Sequence, residues 1–365
     1  MYLKTFAKTD KMKLSTIFSI GIKNLEQAYY KFRGLNHKVV PYKLLIEVTT
    51  LCNSRCLYCD IWKIKKEDVQ HINLNHLESF LAKMDKHLLW LALSGGEITN
   101  YSQTKELVEL IKKNSPKLRI LTFTTNGLLP QRVLELAQLM RTEIGCDIFI
   151  TISLDGDKET HDSIRGKKGN YEKCMETYIL LKNEKFDCHF GITVADRNHN
   201  FIVSNYKYYK DKIKAVTLFH SGGIFLTEKG ENAEDSNNKL TEAYKTIYTY
   251  YSPKNLGEWL VKFYLKLGVH FLKQKRETNI IPCDVGQSSA HLMANGDLKP
   301  CMYLPPIKNI GENFELSDYY NSQAQKLLDE IKKDKCPHCW MSCYGPHNML
   351  QAPFQTAKNL IKSIE

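Results

Sequence analysis

Cys52, Cys56 and Cys59 form a C-x3-C-x2-C run directly after the apolar stretch 43–49, with Tyr58 immediately before the last thiol. Thiolate sulfur is a soft ligand that suits zinc or iron–sulfur clusters. A structural zinc site closes with four ligands. Three thiols in one loop leave a fourth position open, and an open iron on a four-iron, four-sulfur cluster can chelate a small molecule. Chance produces such a spacing at this composition about once in a hundred chains. Its place after a strand, with Gly95-Gly96-Glu97 after the next one, makes it a stronger signal. A second group, Cys283, Cys301, Cys336, Cys339 and Cys343, lies near the other end of the chain. Cys146, Cys174 and Cys188 are isolated in apolar or helical surroundings and read as packing residues.

The elements that must position these thiols follow from periodicity. Apolar runs at 43–49, 88–95, 118–126, 147–155, 188–195 and 214–221 read as strands. Between them, 75–87, 102–114, 130–143, 170–184 and 199–212 carry apolar residues at helical spacing, and Pro130 suits a first turn. A βα unit repeated about six times forms a parallel sheet with right-handed crossovers. Six units are too few for the eight-stranded barrel, so the α/β fold class is a partial (β/α)6 barrel. Reactive residues of such barrels sit at the C-terminal strand ends. The polar and Gly-rich signals fall there: the three thiols, Ser94-Gly95-Gly96-Glu97, Thr125-Asn126-Gly127, Ser153 with Asp155-Gly156, Asp196 to Asn198, and His220 to Gly223.

The expected organisation is an N-terminal helical extension (1–40), the partial barrel (41–225), a helical connector (226–282), a small cysteine-rich hairpin-plus-helix domain (283–345) and a tail (346–365). Asn295-Gly296 marks the hairpin turn. The segment 14–32 reads as an amphipathic helix packed on the body, with membrane-surface binding as its rival. It lacks a small-residue cleavage site, and no apolar run has the length of a membrane span. A cytoplasmic location is expected, where eleven cysteines are metal ligands or buried thiols rather than disulfides. The formal charge of +11 is spread along the chain without basic–aromatic alternation, which reads as a solvated basic surface rather than a nucleic-acid groove.

C-x3-C-x2-C after the first strand, with an aromatic before the third cysteine, resembles the radical S-adenosylmethionine (radical SAM) superfamily. The resemblance covers about residues 41–225 and implies that Cys52, Cys56 and Cys59 hold a [4Fe–4S] cluster. It implies that SAM chelates the fourth iron and is cleaved reductively to a 5′-deoxyadenosyl radical that abstracts hydrogen from substrate. It places Tyr58 near the adenine, Gly95, Gly96 and Glu97 at the methionine amino group, Ser153 near the ribose, and Asn126 and Val194 in the same pocket. The stretch His161-Asp162-Ser163-Ile164-Arg165-Gly166 resembles a His-Asp-x-x-Arg-Gly segment of peptide-modifying members, and Arg165 would pair with the SAM carboxylate.

Cys283-x12-Gly296-x4-Cys301 resembles the opening of SPASM and twitch extensions, which bind auxiliary [4Fe–4S] clusters. Full SPASM domains carry two such clusters. Five thiols cannot fill two four-thiol sites, so the resemblance implies one auxiliary cluster, held by Cys283, Cys301, Cys336 and Cys339, with Cys343 spare or replacing one of the last two. A zinc staple is the alternative. An auxiliary cluster could accept the electron left on substrate, giving a net oxidation. Sulfatase-maturing relatives carry Asp after the second hairpin cysteine, and Met302 stands there. The roughly 40 residues before the first strand are short for the leader-binding domain of peptide maturases.

The expected activity is therefore that of a radical SAM enzyme on a peptide or a small polar, sugar-like substrate, with a reductant such as flavodoxin or ferredoxin and no nucleic-acid partner. The rivals are a non-catalytic iron–sulfur electron-transfer or docking protein and a zinc-stabilised binding module. The sequence assigns no catalytic acid or base; His220, Asp196, Asp284 and His291 are the titratable candidates.

Overall fold

A computed structural model describes residues 13–35, 38–218, 233–274, 280–320, 326, 328–329, 333 and 339–362. Helix α1 (Leu14–Phe32) precedes six βα units. These run β1 (Lys43–Glu47), α2 (Leu74–Met84), β2 (Trp90–Ser94), α3 (Thr104–Asn114), β3 (Ile120–Thr125), α4 (Pro130–Ile144) and β4 (Asp147–Ser153). They continue α5 (Lys158–Arg165), α6 (Asn170–Asn183), β5 (Asp187–Val194), α7 (His199–Tyr209), β6 (Ile213–Leu218), α8 (Ala233–Tyr250) and α9 (Leu256–Lys273). Then come β7 (Ser289–Leu292), β8 (Asp297–Lys299), β9 (Lys308–Asn309) and helices Leu316–Tyr320, Gly345–Gln351 and Pro353–Lys362.

β1 to β6 pair in order and in parallel, as the repeat predicts. Alternation explains the two faces. Leu44, Ile46, Leu91, Leu93, Leu121, Phe123, Ile150 and Ile152 join one core with the helices, including Leu77, Leu107, Val133 and Leu181. Each such side chain contributes about 1.5–3 kcal/mol on burial. The opposite, concave face is mostly polar. It carries Glu47, Ser94, Thr122, Thr124, Thr151, Ser153, His189 and Thr193, and the last six are incompletely buried.

The C-terminal hairpin forms β7 and β8 and extends the same sheet: β7 pairs in parallel with the free edge of β1, and β8 and β9 follow antiparallel, giving a nine-stranded sheet among the described residues. The open side of the barrel is spanned by residues 340–343. Leu218 N donates to Trp340 O (3.4 Å), Thr217 Oγ1 meets Ser342 Oγ, and Lys43 Nζ donates to Cys343 O. Trp340 is stacked between Tyr264 and Phe271 of α9, with centroids 4.8 and 5.1 Å away. The expected connector is thus the covering helix that holds this strap.

Candidate active site

The three thiols sit on the loop leaving β1, and backbone bonds fix that loop from two sides. On one side, Gly96 N donates to Thr49 O (2.7 Å) and Glu97 N to Leu51 O (2.8 Å). A Cβ on Gly95 would strike Thr49 O and one on Gly96 would strike Leu51 O; Gly95 also has φ +133°. These glycines let one strand-end loop lie against the next. On the other side, Arg55 N donates to Arg165 O (3.0 Å) and Leu57 N to Ile164 O (2.9 Å). Gly166 closes this contact, since a Cβ there would meet Arg55 O at 2.5 Å.

The His-Asp-x-x-Arg-Gly segment is the buttress of the cysteine loop. Helix α5 starts at Asp157, whose side chain accepts from Thr160 N (3.0 Å), and ends at Gly166 with φ +60°. His161 Nδ1 accepts from Asp155 N (3.1 Å), and burial lowers the ring to about 4, so it is neutral. Asp162 accepts from Gly169 N (2.6 Å) and Tyr171 N (2.8 Å), fixing the start of α6. Arg165 pairs with buried Asp155 (2.7 Å) and reaches Cys56 Sγ (3.7 Å). Burial opposes the Arg165 charge, but Asp155 and Cys56 more than offset it, so its pKa is raised.

The residues fit a cluster. Burial pushes Cys52 up to about 11 and Cys59 up to about 12; neighbouring thiols add to both shifts and Arg165 opposes them. The thiols thus feel one another and one nearby cation. Bound metal reverses this balance and deprotonates its thiols. Among the described residues, no three metal-ligating side chains converge on a position for a single ion.

The other expected pocket residues gather at the same strand ends, several already engaged. Glu97 Oε1 accepts from Thr99 Oγ1 (2.8 Å) and Thr125 Oγ1 (2.7 Å), and Oε2 from Asn126 N (2.7 Å). Burial raises its pKa against these bonds. Asn126 Nδ2 donates to Asn53 Oδ1 (2.7 Å), and Asn126 Oδ1 accepts from Leu128 N (3.0 Å). Val194 lies in the main core, which leaves its backbone to the mouth. Tyr58 and Ser153 are half-buried.

Sequence reasoning took Cys174 for packing alone, but it also joins two strand-end loops. Its one S–H lies within reach of two carbonyl acceptors, Asn126 O (3.2 Å) and Ser153 O (3.4 Å). Asn198 is a further tie: Nδ2 donates to Asp155 O (3.1 Å) and Thr193 O (2.8 Å), and Oδ1 accepts from Ala195 N (3.0 Å).

Cys283, Cys301 and Cys339 line one cavity of about 230 Å³ with Tyr303, Met341 and Tyr344. Cys283 and Cys301 pack with Leu45 of β1. Cys336 lies outside the described residues. Cys343 is exposed as a residue; burial raises its thiol and Lys43 opposes the shift. Of the acid–base candidates, His291 stands on β7 beside Leu45, with neither ring nitrogen hydrogen-bonded among the described residues, and burial lowers it to about 4. Asp284 pairs with Lys31 of α1. Asp196 opens a 3-10 turn after β5, and His220 lies outside the described residues.

The family model described as the radical SAM superfamily matches residues 46–200. The chain is similar to the antilisterial bacteriocin subtilosin biosynthesis protein AlbA of Bacillus subtilis (strain 168), at 24% identity over 83% of this chain and 67% of AlbA. It is similar to the AdoMet-dependent heme synthase of Methanosarcina barkeri (strain Fusaro / DSM 804), at 23% identity over 82% of this chain and 88% of the synthase. Among solved structures it resembles native anSMEcpe with bound AdoMet, with TM-score 0.60 and 18% identity, over 88% of this chain and 97% of that one. With three thiols on the β1 loop of a partial barrel and the family model matching over the same strands, residues 46–200 form a radical SAM domain, of a superfamily that uses SAM and a [4Fe–4S] cluster.

Proposed function

We propose that the enzyme cleaves SAM to oxidise a peptide or a small polar, sugar-like substrate, with one auxiliary [4Fe–4S] cluster taking up the electron. The observation that carries this reading is the cysteine loop clamped between Gly95-Gly96 and the end of α5, opening onto the polar concave face of the sheet. Cys52, Cys56 and Cys59 hold the first cluster. Together with SAM it supplies reductive cleavage and a hydrogen-abstracting radical. Arg165 is the cation nearest the thiols and balances anionic charge there. Gly95, Gly96, Glu97 and Asn126 shape the wall that receives SAM, with Tyr58, Ser153 and the Val194 backbone around it. Cys283, Cys301 and Cys339, with Cys336 or Cys343, hold the auxiliary cluster, and the cavity they share supports this assignment. A small reductant protein such as flavodoxin or ferredoxin supplies the electron. The bacteriocin-biosynthesis role in the name of AlbA favours a peptide, and the heme synthase keeps small molecules in view.

The test is anaerobic reconstitution with iron and sulfide, followed by SAM and dithionite. About eight irons per chain and 5′-deoxyadenosine as product are expected. Iron without SAM cleavage would make the chain an electron carrier; zinc without iron would make it a binding module.

A further inference from the structure

Helix α1 lies across the N-terminal ends of the strands and is turned inside out. Its inward contacts are largely polar. Thr16 Oγ1 donates to Asp147 (2.7 Å), Asn24 Oδ1 accepts from Tyr42 Oη and Gln351 Nε2 (both 2.6 Å), Gln27 Nε2 donates to Val40 O (2.8 Å), and Lys31 pairs with Asp284. Ile20 is the large apolar side chain it buries, against Tyr42, Leu89 and Ile120. The opposite face carries Phe18, Ile22, Leu25, Tyr29 and Phe32, which are 70, 50, 73, 56 and 88% exposed. Steps of four and three residues place all five in one stripe. A helix packed on a globular body normally turns such a stripe to the core, so this one is built for contact with something outside the fold.

Charge indicates the occupant. The first 38 residues hold eight Lys and Arg against two acidic residues, more than half the excess in the whole chain. Lys23 and Lys31 are paired with Glu26 and Asp284. Lys13 pairs with Asp147, and in the sequence Lys4, Lys8 and Lys11 precede the stripe while Arg33 and Lys38 follow it. The helix Pro353–Lys362, which follows the α1-contacting helix Gly345–Gln351, repeats the chemistry, exposing Phe354 and Ile361 beside Lys358 and Lys362.

We propose that α1 docks the enzyme on an anionic lipid surface, its Phe18–Phe32 stripe in the interface and the basic ends on the headgroups. Aromatic and aliphatic residues flanked by Lys and Arg suit the boundary between headgroups and acyl chains. Among the described residues no helix is long and apolar enough to cross a membrane, so the contact is peripheral. Because α1 covers the N-terminal strand ends, the cysteine loop at the C-terminal ends faces away from the lipid. A second copy of the chain fits less well: with cations before and after the stripe in the sequence, self-pairing sets a basic segment against a basic segment.

The experiment is flotation of the full, anaerobically reconstituted chain with vesicles of phosphatidylcholine alone or with about 30% phosphatidylglycerol, a fraction high enough to give a negative surface potential. Binding to the anionic vesicles at least tenfold above the neutral ones, weakened by salt, is expected. The variant Phe18→Ser/Leu25→Ser/Phe32→Ser should lose at least tenfold of that binding, with its melting curve and SAM cleavage unchanged. Arg33→Glu/Lys38→Glu, which leaves the stripe intact, should weaken anionic binding alone. Absence of binding to anionic vesicles at low salt, or equal binding by the stripe variant, overturns the proposal. So does a dimer in light scattering that the stripe variant converts to monomer while vesicle binding stays absent. SAM cleavage is read separately, so failure of docking is distinct from failure of the radical chemistry.

Discussion

The loop 52–59 and the cysteines of the C-terminal segment both lean on β1, the first at the strand's end and the second on its Leu45 side chain. They are built in opposite ways. The first is local: three thiols within eight residues, held by backbone bonds to the β2 loop and the end of α5. The second is assembled from Cys283, Cys301 and Cys339, brought together by the pairing of β7 with β1 and by the strap stacked on α9. A site made by one loop needs only its neighbouring turns. A site made by distant segments depends on the closure of the whole barrel.

The largest expected effect separates these sites by chemistry. Cys56→Ala should lower 5′-deoxyadenosine formation by more than about 100-fold, beyond the 10–100-fold typical of losing a mere supporting partner. Cys301→Ala should leave SAM cleavage standing while substrate oxidation and the second set of irons are lost. Iron counting and product analysis on both variants check this. Equal loss of SAM cleavage in the two would erase the distinction.

Arg165→Met tests what supports the first loop. It would leave buried Asp155 without its cation, and removal of one partner from a buried pair costs about 3–5 kcal/mol. Denaturant melts should show that loss, and the cluster should load poorly because the same residue approaches Cys56. Gly96→Ala is milder. The added methyl meets the Leu51 carbonyl, and relieving such crowding costs about 1–3 kcal/mol. Its signature should be reduced iron in the first cluster with the second unaffected.

The two regions were also unequally legible in the sequence. Six parallel strands followed from alternating runs, because each buries one face against helices of clear period, as Leu91 and Leu93 do. The cysteine loop was visible because its ligands are neighbours in sequence. The role of α5 was hidden: its eight residues bury only His161 and Ile164, too few for a periodic signal. The join of β7 to β1 was hidden for another reason. It pairs residues nearly 250 positions apart, Lys43 with Ser289, and no local pattern encodes the partner of a parallel edge. Nor did the sequence show that Gly95 and Gly96 lie against the carbonyls of Thr49 and Leu51, which fill the space a side chain would need.

The smallest expected effect is a pH dependence seated between the two sites. Glu47 ends β1, 5% exposed, with Oε2 lacking a hydrogen-bond partner among the described residues. Burial raises its pKa to about 7, opposed by a bond from the Ala294 backbone and by Lys299. The folded protein therefore holds a proton on Glu47 that the unfolded chain releases near its ordinary value of 4.5. Where the folded state binds more protons, stability falls as pH rises, so this contribution is full below about 4.5, declines between there and about 7, and is absent above. Glu47→Gln mimics the protonated form. It should flatten the stability profile across that window and raise stability at pH 8 by about 1–2 kcal/mol. Melts of both proteins from pH 5 to 8 measure it. Parallel slopes would mean that Glu47 keeps its charge in the folded protein, paired with Lys299, and that β1 carries an ion pair between its two thiol sites.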